Sequence, residues 1–178
     1  EDAKIHNELI VVTSHHGADE MGFTSPISGS DIKNTLLATP GVVLHLTGHG
    51  HHNTKHYVSG PQGGYWELML TSTLDFPMQS RLIEIVNESN GYASIYITNI
   101  GHNSPEESLA HESRRLTASK LAFMELIRGR VDDFWAEDTQ AQNLLLRVKI
   151  PESVNVNLSA YEWSSTVESV ETLLGLGE

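Results

Sequence analysis

The chain has 178 residues and a formal net charge of −12, from 11 basic and 23 acidic side chains. This length suits one domain or part of a larger one, and the acidic balance argues against a nucleic-acid partner or an anionic membrane, because both attract cationic surfaces. No apolar run reaches the roughly 18 residues that a membrane span needs. Cysteine is absent, which excludes disulfides, thiolate metal ligands and a cysteine nucleophile.

The histidines are concentrated in one part of the chain. There are 10 of them, 9 lie within residues 1–103, and 5 fall between His45 and His56. Neutral imidazole is the commonest metal ligand among protein side chains. The clustering therefore gives the first indication of a metal site.

The first part of the chain contains the same arrangement twice, a buried strand that runs into histidines. Residues 8–13 and 42–46 are short, nearly all-apolar runs, typical of strands buried on both faces. They lead into polar loops at 14–16 and 48–53, and between them Ser30 is expected to cap a helix over 31–38. Ligands bind at the carboxyl edge of open α/β sheets, so both loops are predicted to face a site there.

From residue 60 onward the pattern favours antiparallel strands, followed by a helix and one more strand. Alternating runs predict antiparallel strands within 65–100, at 65–71, 81–86 and 92–100, with a hairpin turn at Asn90-Gly91. Ser104-Pro105 predicts the start of a helix over 105–128, and an apolar run predicts a strand at 144–150. A capping pattern predicts a short helix in the C-terminal tail, 154–178. His45 alternates with apolar residues inside its strand and is expected to be buried and hydrogen-bonded.

Two histidine motifs carry a resemblance to a known family. Ser14-His15-His16 and Gly48-His49-Gly50-His51, separated by a short helix, resemble the C-terminal half of the calcineurin-like metallophosphoesterases. The segments at 64–67 (GYWE) and 75–85 (DFPMQSRLIEI) are similar to an actinobacterial-type bacterial branch of that superfamily. The resemblance implies an α/β fold that forms part of a two-sheet sandwich with flanking helices. Residues 1–153 would be the C-terminal half of the domain.

The resemblance also implies a set of site residues and an activity. His15 and His49 match the histidines that hold the second metal, and His51 matches the histidine that reaches the first. His16, His52 and Asn53 lie beside these ligands, where they are expected to support them or to face the phosphate. The cofactors would be two divalent or trivalent transition metals (Zn, Mn or Fe). The implied substrate is a phosphate ester, either a monoester or a diester.

The sequence lacks the motifs that the other half of such an enzyme supplies. It contains no Asp-x-His, no Gly-Asp and no Gly-Asn-His. Two adjacent dications need anionic ligands to offset their repulsion, and three neutral imidazoles contribute no charge. We therefore expect the metals to bind together only when the missing half is present, and the chain alone to be catalytically silent.

The alternative is a catalytically silent structural or metal-binding fragment that needs the missing half. Its expected partners are a second chain, which would supply that half, or further copies of this chain in a homo-oligomer. An uncovered sheet face would then promote dimerisation or strand exchange through an exposed apolar surface. The sequence assigns no cellular compartment, and it does not choose between monoesters and diesters.

Three other hydrolase classes fit the sequence poorly. A metallo-β-lactamase would need aspartate and histidine after the His-x-His, and His52, Asn53 and Thr54 stand there instead. An amidohydrolase barrel needs about 250 residues. The Gly-x-Ser-x-Gly elbow of many serine hydrolases does not occur in the sequence.

Overall fold

The structure is a computed structural model, and it describes residues 8–21, 26–61, 63–101, 103–128, 143–152 and 154. The short helix expected in the tail lies outside these residues. The described elements make a mixed α/β fold with one four-stranded and one three-stranded sheet. In chain order they are β1 (Ile10–Thr13), a 3₁₀ turn (Ala18–Glu20), α1 (Gly29–Ala38), β2 (Val42–Thr47), β3 (Thr54–Gly60), β4 (Gly63–Met69), β5 (Gln79–Asn87), β6 (Tyr92–Gly101), α2 (Leu109–Arg128) and β7 (Leu144–Lys149).

The four-stranded sheet has the order β1-β2-β4-β3, with a parallel centre. β1 pairs parallel to β2, β2 pairs parallel to β4, and β3 runs antiparallel to β4 at the edge. The prediction of antiparallel strands from 65 onward is therefore confirmed for the pairing of β4 with β3 and wrong for its pairing with β2. The strand β3 was not predicted, because its residues are mostly polar and exposed, as is usual for an edge strand. Its hairpin with β4 turns β4 back parallel to β2.

The three-stranded sheet confirms the antiparallel part of the prediction. β5 and β6 form a long hairpin, and β7 pairs antiparallel to the other side of β6. Gly91 has a φ of +85° at the tip, a conformation that glycine adopts without steric cost. The predicted strand at 144–150 is observed at Leu144–Lys149.

The two sheets share one hydrophobic core. Leu44 and Leu68 of the first sheet are fully buried in the same cluster as Ile95 and Ile97 of the second. Burial of each such side chain stabilises the fold by about 1.5–3 kcal/mol. The opposite face of the first sheet is packed in part by α1, and a smaller cluster lies there. The expected α/β class is confirmed, while the specific metallophosphoesterase sandwich stays an expectation.

Both described helices begin at a different serine from the predicted one. At α1 the cap is Ser28 and not Ser30: the Ser28 Oγ accepts a hydrogen bond from the Asp31 amide at 3.1 Å, and the Asp31 carboxylate accepts the Ser28 amide in return. At α2 the cap is Ser108 and not Ser104, since the His111 amide donates to the Ser108 Oγ at 3.2 Å. In each case the N-cap is the serine whose hydroxyl accepts a hydrogen bond from the amide of the third helical residue.

No helix among the described residues is long and apolar enough to cross a bilayer.

Candidate metal centre

The histidines at the ends of β1 and β2 meet at one edge of the first sheet. His15 and His16 follow β1 after Ser14, and His49 follows β2 after Gly48. The two strands are parallel neighbours, so their carboxyl ends lie side by side. The loops are also joined through their backbones, because the amides of Gly48 and His49 both donate to the His15 carbonyl, at 3.1 and 2.8 Å. The local sequence places histidines at strand ends, and the parallel pairing brings those ends together.

The three histidines form a compact cluster. His15, His16 and His49 each offer one ring nitrogen such that all three nitrogens lie within 4.8 Å of one another. The His49 Nδ1 lies 3.1 Å from the His15 Nε2. The ring centroids of His16 and His49 are 4.0 Å apart. His15 and His49 are exposed, whereas His16 is half-buried.

The donor set fits a transition-metal ion. Two nitrogens bound to one tetrahedral zinc lie about 3.3 Å apart, given zinc–nitrogen bonds of about 2.0–2.1 Å. The contact between His15 and His49 has this spacing, although a short contact between two imidazoles also forms when one ring donates its proton to the other. The more informative atom is the His16 Nδ1, which is buried and has no hydrogen-bond partner within the described part of the chain. A buried polar atom without a partner is costly, and coordination to a cation would satisfy it.

His51, the third ligand implied by the resemblance, has a different partner. It does not belong to the three-histidine cluster of the described residues, and its Nδ1 lies 2.6 Å from the Asp75 Oδ2. A carboxylate on one ring nitrogen fixes the tautomer and leaves the Nε2 available, as in many metal-bound histidines. His51 as a ligand therefore stays a prediction, and His16 enters the candidate set in addition.

The two neighbours of His51 provide further polar groups. The His52 Nδ1 lies 2.7 Å from the Gly50 carbonyl, which can only accept, so the Nδ1 carries a proton, and in the neutral form of the ring the Nε2 keeps its lone pair. Asn53 is 4% exposed, and neither polar atom of its side-chain amide has a hydrogen-bond partner among the described residues. Their predicted role beside the ligands or the phosphate remains a prediction.

A second set of polar side chains lies next to the cluster. His45 is 1% exposed, as expected from its place in the strand, and it contacts a polar group with each ring nitrogen. Its Nε2 lies 2.7 Å from the Ser14 Oγ, and its Nδ1 lies 2.8 Å from the Glu67 Oε2. The hydrogen bond from His45 holds the pKa of the Glu67 carboxyl below its usual value, although burial acts in the opposite direction. Glu67 is therefore ionised and fixes the orientation of the His45 ring.

Sequence reasoning assigned no site role to Glu67 and Asp75, although both lie in segments that carried the family resemblance. Glu67 is the single charged residue between positions 63 and 74, inside an otherwise apolar strand. An isolated charge in such a run predicts a buried partner. The partner of Asp75 is 24 positions away in the chain, and no local pattern identifies it.

Comparisons with protein families, with curated proteins and with solved structures find no match to this chain. The resemblance to metallophosphoesterases is carried by the residue pattern alone.

Proposed function

We propose that this chain binds a transition-metal ion through His15, His16 and His49, and that it is the histidine-bearing half of a metal-dependent phosphoesterase. The observation that carries the metal-binding part is the convergence of three ring nitrogens within 4.8 Å at the carboxyl edge of a parallel sheet. Neutral imidazoles suit zinc, manganese or iron. The phosphoesterase part rests on the sequence motifs around these histidines.

A metal in this position would polarise a phosphoryl oxygen and lower the pKa of a bound water. The residues of the chain contribute orientation. The Asp75 carboxylate contacts the His51 Nδ1 and the Gly50 carbonyl contacts the His52 Nδ1, and among the described residues the Nε2 of each ring has no hydrogen-bond partner. The Asn53 amide can donate to or accept from a ligand oxygen.

The charge balance argues that the chain alone binds metal without turning over substrate. The three clustered side chains are all histidines. Two neighbouring dications would need carboxylates to offset their repulsion, and a second polypeptide segment would have to supply them. A metal-binding fragment without activity of its own is therefore the second candidate function, and the all-imidazole composition of the cluster favours it for the isolated chain.

Cobalt titration followed by visible absorption tests metal binding directly, because ligand-field bands report Co²⁺ coordinated by the protein. We expect wild type to bind Co²⁺ and His49→Ala to bind at least about 10–100-fold more weakly, since loss of a supporting group alone costs that much. His56→Ala is the matched control, because His56 is an exposed histidine on β3. Equal affinity of wild type and His49→Ala would refute the metal site.

Hydrolysis of an aryl phosphodiester by the purified chain tests the second part. We expect no turnover at saturating metal. Turnover that His49→Ala abolishes would show instead that the chain needs no second half.

A further inference from the structure

The side chains of Ser14, His45 and Glu67 form a continuous hydrogen-bonded series that is separate from the three clustered rings. The Ser14 Oγ lies 2.7 Å from the His45 Nε2, and the His45 Nδ1 lies 2.8 Å from the Glu67 Oε2. Both distances fall within the range for a nucleophile, its base and the group that orients the base. Such sets are recognised by geometry and not by sequence motif, so the missing Gly-x-Ser-x-Gly elbow does not exclude one.

The proton positions follow from the partners. Glu67 is an ionised carboxylate, held in that form by the hydrogen bond from His45, and can only accept. The His45 Nδ1 must therefore carry a proton, and in neutral imidazole the Nε2 then presents its lone pair to the Ser14 hydroxyl. The Ser14 Oγ also lies 2.7 Å from the His16 carbonyl, so one hydroxyl hydrogen is shared between two acceptors. The His45 Nε2 is thus placed to take this hydrogen when the oxygen reacts.

The fold buries the base and the carboxylate and leaves the hydroxyl exposed, which is the placement that a serine nucleophile requires. His45 and Glu67 are register partners on the parallel strands β2 and β4, and Ser14 follows the end of the neighbouring β1. The side chain of His45 is 2% exposed and that of Glu67 is 12% exposed, whereas Ser14 is exposed. The base and its carboxylate are therefore shielded from water, and the hydroxyl can be reached from solvent.

We propose that Ser14 is a nucleophile that attacks carboxylic esters, with His45 as its general base and Glu67 as the residue that positions His45. In the first step the Ser14 Oγ bonds to the ester carbonyl carbon, and its proton moves to the His45 Nε2. The bond from that carbon to the alkoxy oxygen breaks, and the leaving alcohol takes the proton from His45. Water then adds to the acyl carbon and gives one proton to His45, which returns it to the Ser14 oxygen as the acid departs.

Covalent labelling with an alkyl fluorophosphonate, with the site mapped by mass spectrometry, tests this proposal on the full chain. The Ser14 Oγ would bond to phosphorus, fluoride would leave, and the hydroxyl proton would pass to His45. Labelling is done in EDTA, so that the result does not depend on metal binding and can fail independently of the proposed function. We expect native wild type to be modified at Ser14, and the Ser14→Ala variant to lose that adduct.

The variants His45→Gln and Glu67→Gln separate an activated serine from a serine that is merely exposed. General-base assistance contributes about 100–10,000-fold, so we expect Ser14 labelling to slow by at least about 100-fold in His45→Gln. Glu67→Gln keeps a hydrogen-bonding group but loses the charge, and a marked decrease is expected there too. Ser59→Ala is the matched control, because Ser59 is exposed on β3 and its loss should leave the rate unchanged.

A folding defect in these variants is covered by a second comparison, native against urea-unfolded wild type. An activated Ser14 reacts faster in the native chain. The proposal is overturned if native Ser14 is unlabelled, if it reacts no faster than in the unfolded chain, or if both glutamine variants are folded and label at the wild-type rate. A hydrogen-bond series that only holds the 14–18 turn in place would give the last of these results.

Discussion

His16 and His51 are the two further candidate ligands beside His15 and His49, and the resemblance assigns His51 to the other metal of the pair. The sequence motif favours His51, whereas the folded chain places His16 in the cluster and pairs His51 with Asp75. The difference arises because His-His and His-x-His motifs place all of these side chains near one sheet edge, and the turn conformations then decide which nitrogens converge. His51 itself has a φ of +53°, in the left-handed region.

Single alanine variants at these positions rank the two candidates. We expect His16→Ala to weaken zinc binding by about 10–100-fold or more, measured by isothermal titration calorimetry, while His51→Ala changes the affinity by only a few fold. Each substitution removes one imidazole ring, so each variant is a control for the other. The reverse ranking would favour His51, the ligand that the resemblance implies, over His16.

At the scale of the element, the start of α1 depends on one hydroxyl. The Ser28 hydroxyl oxygen accepts a hydrogen bond from the Asp31 amide, and the Asp31 carboxylate accepts one from the Ser28 amide. Two backbone donors are satisfied in this way. We expect Ser28→Ala to lower the free energy of unfolding by about 1 kcal/mol, and Ser30→Ala to change it by a few tenths at most. Urea denaturation followed by circular dichroism measures both. A larger loss for Ser30→Ala would mean that the helix begins at the serine the sequence suggested.

The β5–β6 hairpin is linked to β7 through Glu88. Its carboxylate accepts hydrogen bonds from the Arg147 guanidinium on β7, from Ser94 and from Asn90, and these lower the pKa of Glu88 to about 2. A carboxyl group with a lowered pKa in the folded state stabilises the fold above its unfolded pKa, which is near 4.5. That contribution is lost as the pH falls from about 4.5 towards 2.

The Glu88→Gln variant should therefore be less stable than wild type at pH 6 and should lose less stability on acidification. Urea unfolding at pH 6, 4 and 2.5 measures how steeply the free energy of unfolding changes with pH in each protein. The difference should shrink in high salt, because the pair is exposed to solvent and is screened. If the free energy of unfolding depended on pH in the same way in both proteins, the hydrogen bonds to Glu88 would make no contribution to stability.

At the scale of the whole molecule, the outer face of the second sheet carries an apolar surface. Tyr96 and Leu145 are directly paired across β6 and β7 and are 43% and 62% exposed. Leu82 and Val86 of β5 are 50% and 48% exposed. Glu84 is exposed between Leu82 and Val86 and opposite Tyr96, so a charged side chain interrupts the apolar side chains of this face. Exposed apolar surface on a sheet can mark a contact with another chain. It is consistent with the prediction from the sequence that an uncovered sheet face promotes association.

We expect wild type to show a mass above 19.7 kDa in light scattering coupled to gel filtration. A Tyr96→Lys and Leu145→Lys double variant should return to the monomer mass, because two ammonium groups would be buried in the contact. Leu74→Lys is the control, since Leu74 is 76% exposed but lies outside this face. A monodisperse wild-type monomer would contradict the prediction.

The sequence by itself determined the features that depend on neighbours in the chain. Apolar runs identified β1, β2 and β7, alternation and Asn90-Gly91 identified the β5–β6 hairpin, and strand-end histidines located the candidate site. Local patterns suffice there because side-chain period and turn chemistry act over a few residues. The edge strand β3 was not predicted from the sequence, because its polar residues are exposed and show no alternation of buried and exposed positions.

Only the tertiary structure decided which strands pair and which polar groups meet. It placed β4 parallel to β2, and this register sets Glu67 beside His45, 22 positions apart in the chain. It also joined His51 to Asp75 and brought the His16 ring next to those of His15 and His49. The physical reason is range: strand pairing and hydrogen bonding depend on distances in space, which are fixed when the buried faces of both sheets pack together, and no local pattern encodes them.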